Sequence, residues 1–239
     1  MNKYLFSILL PLAIASTSCI TMPGPDPARQ AALDARFESK SNSYPSKGTF
    51  KQAIPLAVGQ YVVTGNTSGG RRDSIMKLAI VGKENNGLIL EMTSTDARSE
   101  STQQMLIRGL EQVASGKAKP ETIEILWIKI RDDKGQIQQI DGAMLTMMAA
   151  PMRSTFSKMY TDNEAMKPTD GGTIRVPAGT FNGTSRIESE VRILGMTMKS
   201  TGYFHPAVPI NGLVRSESNN GKDISELLEF GLQGATRSF

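Results

Sequence analysis

The residues with the widest chemical latitude in this sequence are its methionines. Thirteen occur in 239 residues, and Met144, Met147, Met148, Met152 and Met159 crowd one short stretch. Leu145, Met148, Met152, Phe156 and Met159 recur at spacings of three and four, which places them on one face of a helix. Thioethers in that pattern suit three kinds of chemistry. They line an acyl-chain site, because Met repacks readily around variable apolar shapes. They bind Cu(I), a soft metal. They also fill ordinary cores. Copper lacks a neighbouring His or Cys here, and the cluster coincides with a face that must be buried anyway. No metal or other cofactor is therefore expected. Leu145, Met148, Met152, Phe156 and Met159, with Trp127, are the candidate hydrophobic ligand-binding residues.

The remaining reactive residues form weaker patterns. His205 is the single histidine, so any Ser/His/Asp hydrolase would have to use it. No G-x-S-x-G elbow accompanies it, and Pro206 confines its backbone to an extended form. Glu188 and Glu190 lie two apart on an expected strand and share a face, as a glycosidase pair could. Arg186 and Arg192 share that face and neutralise them, so a solvated charged surface is the reading. Arg71-Arg72-Asp73 flanks a turn, with lipid phosphate as the alternative contact. Gly69-Gly70 lacks the Lys-Ser/Thr of a phosphate loop. One Cys permits no disulfide within the chain and no Cys/His zinc site. The net charge of +4 is scattered, which argues against a nucleic-acid partner. A non-enzymatic protein is the expectation.

Residues 1–18 read as an export signal: Lys3 supplies the positive region, and Tyr4 to Ala15 is apolar but too short to span a bilayer. Two processing sites compete. Cleavage after Ala15, in Ala13-Ile14-Ala15, would release a soluble periplasmic protein. Ser16-Thr17-Ser18-Cys19 resembles a bacterial lipobox, with Ser16 where Leu is usual, and makes Cys19 the lipidation site. A chain that avoids Cys everywhere else favours the second. The expected address is the cell envelope of a diderm bacterium. By the enterobacterial sorting rule that the lipobox resemblance brings with it, Ile20 in place of Asp after Cys19 implies the outer membrane. Residues 19–48, rich in Pro and Ser, are expected to be a tether, with a marginal helix over 28–38.

Residues 49–239 carry strand and turn patterning. Met76, Leu78 and Ile80 alternate with Asp73 and Lys77. Lys83 to Gly87 is a hairpin signal. Residues 100–110 suit either strand or helix. Residues 122–131 are apolar on both faces, with Ile123, Ile125 and Trp127 on one and Leu126, Ile128 and Ile130 on the other. A helix is expected over 143–160, kinked by Pro151, and a loop over 161–172. Strands are expected at 173–176, 180–189, 191–203, 212–218 and 224–232. The fold class is mainly β (α+β), one antiparallel half-barrel or strongly curved sheet with helices over its concave face.

Several segments resemble the LolA/LolB-like half-barrel group of exported bacterial proteins. They are Val58-Gly59-Gln60-Tyr61, Ile80-Val81-Gly82, Leu90-Glu91-Met92, Met105-Leu106-Ile107, Val176-Pro177-Ala178-Gly179-Thr180-Phe181, Val208-Pro209-Ile210-Asn211-Gly212-Leu213-Val214 and Glu226-Leu227-Leu228-Glu229-Phe230-Gly231. The resemblance implies a concave sheet plugged by helices that holds acyl chains or lipids, and it brings no catalytic residues. The partners expected are a membrane, through the lipid anchor, and a lipid or acyl-chain ligand. An envelope protein is the expected partner if the concavity is self-filled.

Overall fold

A computed structural model describes residues 24–38, 40–45, 54–147, 168–193, 196–218 and 221–239. Its helices are α1 (Pro27–Ala35) and α2 (Leu110–Ala114). Its strands begin with β1 (Ser43–Tyr44), β2 (Tyr61–Ser68), β3 (Arg71–Glu84), β4 (Gly87–Asp96), β5 (Glu100–Arg108), β6 (Glu124–Arg131) and β7 (Ile137–Ile140). They continue with β8 (Thr169–Val176), β9 (Gly179–Ile193), β10 (Met196–Phe204), β11 (Leu213–Ser218) and β12 (Asp223–Gly231). One open sheet runs β8-β9-β10-β11-β12-β2-β3-β4-β5-β6-β7, antiparallel at every step, and β1 adds in parallel to β9. Two meanders thus join where β12 pairs with β2.

The sheet is curved. Three strand steps separate β9 from β12, roughly 14 Å in a flat sheet. Yet the Phe181 and Phe230 rings lie 6.2 Å apart, and the Ala178 N–H donates to the Leu227 carbonyl at 2.9 Å. The β8–β9 hairpin is therefore folded back over β12. Tyr44 stacks on Phe181 at 4.4 Å, which fastens β1 into the same corner.

Alternation sorts the strands into two faces. The inner face carries the main core, including Val62, Leu78, Ile80, Leu90, Met105, Ile107, Ile128, Ile140, Phe181, Val214 and Leu227. Leu110 and Val113 of α2, and Leu145 of a helical stretch at 142–147, join it. The outer face holds two smaller clusters. Leu33 and Phe37 pack on Val63, Ile75 and Leu228, and Ala235 packs with Ala79, Val81, Ile89 and Leu106.

Several expectations meet their physical limits. Residues 100–108 form a strand, because Met105 and Ile107 on one face and Leu106 on the other need burial on both sides. In β6 a bulge opposite Leu106/Ile107 resets the alternation. Ile125 and Ile128 therefore face inward, whereas Leu126 and Trp127 face outward. The β9/β10 division falls after Ile193, not at Glu190. β8 extends back to Thr169, into the expected loop.

Within the region expected as a tether over 19–48, residues 26–38 and 40–45 are built into the domain. Asp26 caps α1 through a 2.9 Å bond from the Ala28 N–H, and Pro27 starts the helix. Leu33 and Phe37 then bury on the sheet, each contributing about 1.5–3 kcal/mol. Gly65 makes room: a Cβ there would strike the Phe37 ring. No helix among the described residues is long and apolar enough to cross a membrane.

Candidate ligand face

Register aligns the inner-face residues of neighbouring strands into rows. Each strand changes from apolar to small and polar along its length. In β12 the order is Leu227, Ser225, Asp223. In β2 it is Val62, Thr64, Asn66, Ser68. In β3 it is Leu78, Met76, Ser74, and in β4 it is Leu90, Met92, Ser94, Asp96. Met105, Gln103 and Ser101 continue it in β5. Val214, Ser216 and Ser218 do the same in β11. The concave face therefore has an apolar floor and a polar belt. The belt is hydrogen-bonded within itself. Asn66 Nδ2 donates to Ser74 Oγ at 3.0 Å, Ser225 donates to Asn66 Oδ1, and Ser68 Oγ donates to Asp223 Oδ1 at 2.7 Å. Most of its side chains are half-buried, while the floor is buried; Ile80, Met105, Ile107, Ile128, Phe181 and Leu227 show no exposure.

The candidate residues read from the sequence distribute as follows. Leu145 is buried in the floor. Trp127 lies on the opposite, outer face. Met148, Met152, Phe156, Met159, Pro151 and Cys19 lie outside the described residues, as do the export signal and most of the expected helix at 143–160. The belt is not legible strand by strand in the sequence. Its signal was present as recurring Ser/Asn/Asp at strand ends, but only register shows that these residues adjoin.

His205 is fully buried. Its Nδ1 accepts from the Ala207 N–H at 3.1 Å. With Nδ1 an acceptor, Nε2 carries the proton and donates to the Pro45 carbonyl at 3.1 Å. The ring meets Phe181 edge-on at 5.3 Å. Both nitrogens are thus engaged with main chain. Glu188 pairs with Arg186 at the surface; the side chains of Glu190 and Arg192 lie outside the description. Arg71 pairs with Asp73 at 3.2 Å, and Arg72 covers the Phe37 ring at 4.8 Å. Among the described residues, no three His, Cys, Asp or Glu converge as metal ligands.

On the outer face the Tyr61 hydroxyl donates to Glu229 Oε1 at 2.8 Å. That bond, then burial and the Glu229 charge, hold the phenol above its ordinary range, against the opposing pull of Arg36. Nearby, residues 235–239 lie along β4–β6. The buried Glu91 carboxylate accepts from the Ser238 N–H, the Ser238 hydroxyl and Gln104 Nε2 at 3.0, 2.7 and 2.7 Å.

These features define a class: an open, curved, mainly antiparallel sheet with an amphiphilic concave face. No family model matches the chain, and no curated protein matches it. Two of the solved structures to which the chain is similar are the following. One is a protein assigned as a lipoprotein from Parabacteroides distasonis, 14% identical, TM-score 0.37, covering 77% of this chain and 100% of its own. The other is described as a putative exported protein with a YmcC-like fold from Bacteroides fragilis, 13% identical, TM-score 0.35, covering 74% of this chain and 98% of its own. Likeness at this level assigns neither family nor activity to the chain.

Proposed function

We propose that this protein is a non-enzymatic cell-envelope lipoprotein, anchored through Cys19 in the outer membrane, whose concave face takes up a lipid. The apolar-to-polar gradient shared by six adjacent strands carries the reading. An acyl chain matches the floor, and a head group matches the Ser/Asn belt. Apolar area leaving water, at about 25 cal/mol per Å², drives uptake. Since the floor is covered, uptake requires its cover to move aside, a gating step. The engagement of both nitrogens of His205 with main chain supports the non-enzymatic half.

A second reading has its own observation. The complete burial of Phe181, Met105 and Leu227 favours a self-filled core in a scaffold lipoprotein that works through an envelope protein partner. Native mass spectrometry separates the two. A chain beginning at residue 20, exported and purified without detergent, is sprayed directly. Lipid-mass adducts that disappear in a folded Met148→Lys/Met152→Lys variant support uptake. A bare polypeptide mass after incubation with envelope lipids supports the scaffold.

A further inference from the structure

The outer face carries charge that the concave site does not use. Lys77 sits over the Tyr61 ring at 5.3 Å, and Lys129 and Arg237 sit over Trp127 at 4.8 and 5.6 Å. Arg131 sits over the Phe239 ring at 4.9 Å. Lys77 and Arg131 lie on one row of the face through the pairs Lys77–Thr93, Thr93–Thr102 and Thr102–Arg131. That spacing is roughly 14 Å. Lys129 and Arg237 fall beside it.

None of these four cations pairs with a carboxylate among the described residues. The carboxylates on this face are engaged elsewhere. Glu91 is bonded to Ser238 and Gln104, Glu229 to Tyr61, and Glu100 to Thr95. A cation held on an aromatic ring is attracted by it but not neutralised, and Trp and Tyr favour the polar edge of a bilayer.

The chain enters the fold on this same side. The Asp26 N–H donates to the Ala97 carbonyl at 2.8 Å, at the β4–β5 turn, and α1 packs on the outer cluster. Only seven residue steps separate Cys19 from Asp26, a reach of at most roughly 25 Å. That is a short leash, not a long spacer.

We infer that the outer face of β3–β6, through Lys77, Lys129, Arg131 and Arg237, docks on an anionic phospholipid surface. The inference rests on the lipid anchor at Cys19 proposed above. Docking lays the outer face on the head groups and turns the concave face away from them.

Trp127 is the sole tryptophan and sits within the docking face, so it reports the contact directly. The full lipidated chain is reconstituted into vesicles containing a dansyl-headgroup lipid, and energy transfer from Trp127 is measured. Transfer is expected to be greater in phosphatidylglycerol-containing vesicles than in phosphatidylcholine alone, and to fall in high salt. Each of Lys77→Gln and Arg131→Gln is expected to lower the docking equilibrium about fivefold. Equal transfer in the two lipid compositions overturns the inference. So does transfer insensitive to salt, which needs no variant to fold. If the chain fails to float with phosphatidylcholine vesicles, the anchor reading fails instead. Docking is then judged by flotation with phosphatidylglycerol vesicles: co-flotation supports it and its absence overturns it.

Discussion

At the scale of single residues, buried polar side chains are tied to main chain. His205 is the sharpest case. Removing its ring leaves the Pro45 carbonyl and the Ala207 N–H without their partners and opens a hole beside Phe181. His205→Ala is expected to destabilise the protein by roughly 3 kcal/mol, read as a lower denaturant midpoint at unchanged slope. Tyr61 gives a pH signature. Its phenol is held protonated beyond the ordinary tyrosine value of 10.0. A raised folded-state pKa stabilises the fold below that value, and the contribution is lost as pH rises through the folded pKa. Ultraviolet titration should show an ionisation above the usual tyrosine range that Tyr61→Phe removes. The alkaline decline in thermal midpoint should be shallower in that variant.

At the scale of elements, two short segments pack on parts of the outer face. α1 has little intrinsic stability, and its place depends on Phe37 filling the space above Gly65. Gly65→Val is expected to release α1 while leaving the sheet intact, detected as new proteolytic cleavage within residues 24–38. The segment 235–239 depends on Glu91. Glu91→Ala strips the acceptor from the Ser238 N–H, the Ser238 hydroxyl and the Gln104 amide. A loss of about 2–3 kcal/mol is expected, with accelerated hydrogen exchange at the Ser238 amide and a red-shifted Trp127 emission. Hairpin chemistry is plainer. The Asn85-Asn86 turn has φ of 48° and 60°, the left-handed region such hairpins need. Gly87 serves instead for closeness, since a Cβ there would lie 2.9 Å from the Ile107 carbonyl oxygen.

At the scale of the whole molecule, two faces with different chemistry sit back to back on one sheet. The inner face grades from Leu, Ile and Met to Ser and Asn. The outer face presents cations on aromatic rings. Both arise from period-two alternation in the same strands, so β4 places Leu90, Met92 and Ser94 inside and Glu91 outside. Curvature separates the faces further, because folding the β8–β9 hairpin over β12 brings Phe181, Phe230 and Tyr44 together on the concave side. This corner draws on residues 44, 181, 205 and 230. Shortening or deleting residues 43–45 should therefore unfold the β8–β9 corner before the β3–β6 meander, a difference that segment-resolved hydrogen exchange would detect.

Local physics was legible in the residues alone. Alternation at Met76, Leu78 and Ile80, the hairpin signal over residues 83–87 and the turn residues between the later strands all follow from short-range sterics and burial, so they predict one curved, mainly antiparallel sheet. Relations between distant segments were not legible. The β6 bulge reverses the side of Trp127, and no single strand reveals a bulge without its partner's register. Docking of residues 26–38 and 40–45 depends on Gly65 and on the β8–β9 corner, far away in sequence, so a Pro/Ser-rich stretch reads locally as a tether. The polar belt exists only once six strands lie in register. Sequence determined which residues seek burial and where the chain turns; tertiary structure alone decided which of them meet, because that depends on pairing and curvature, not on neighbours along the chain.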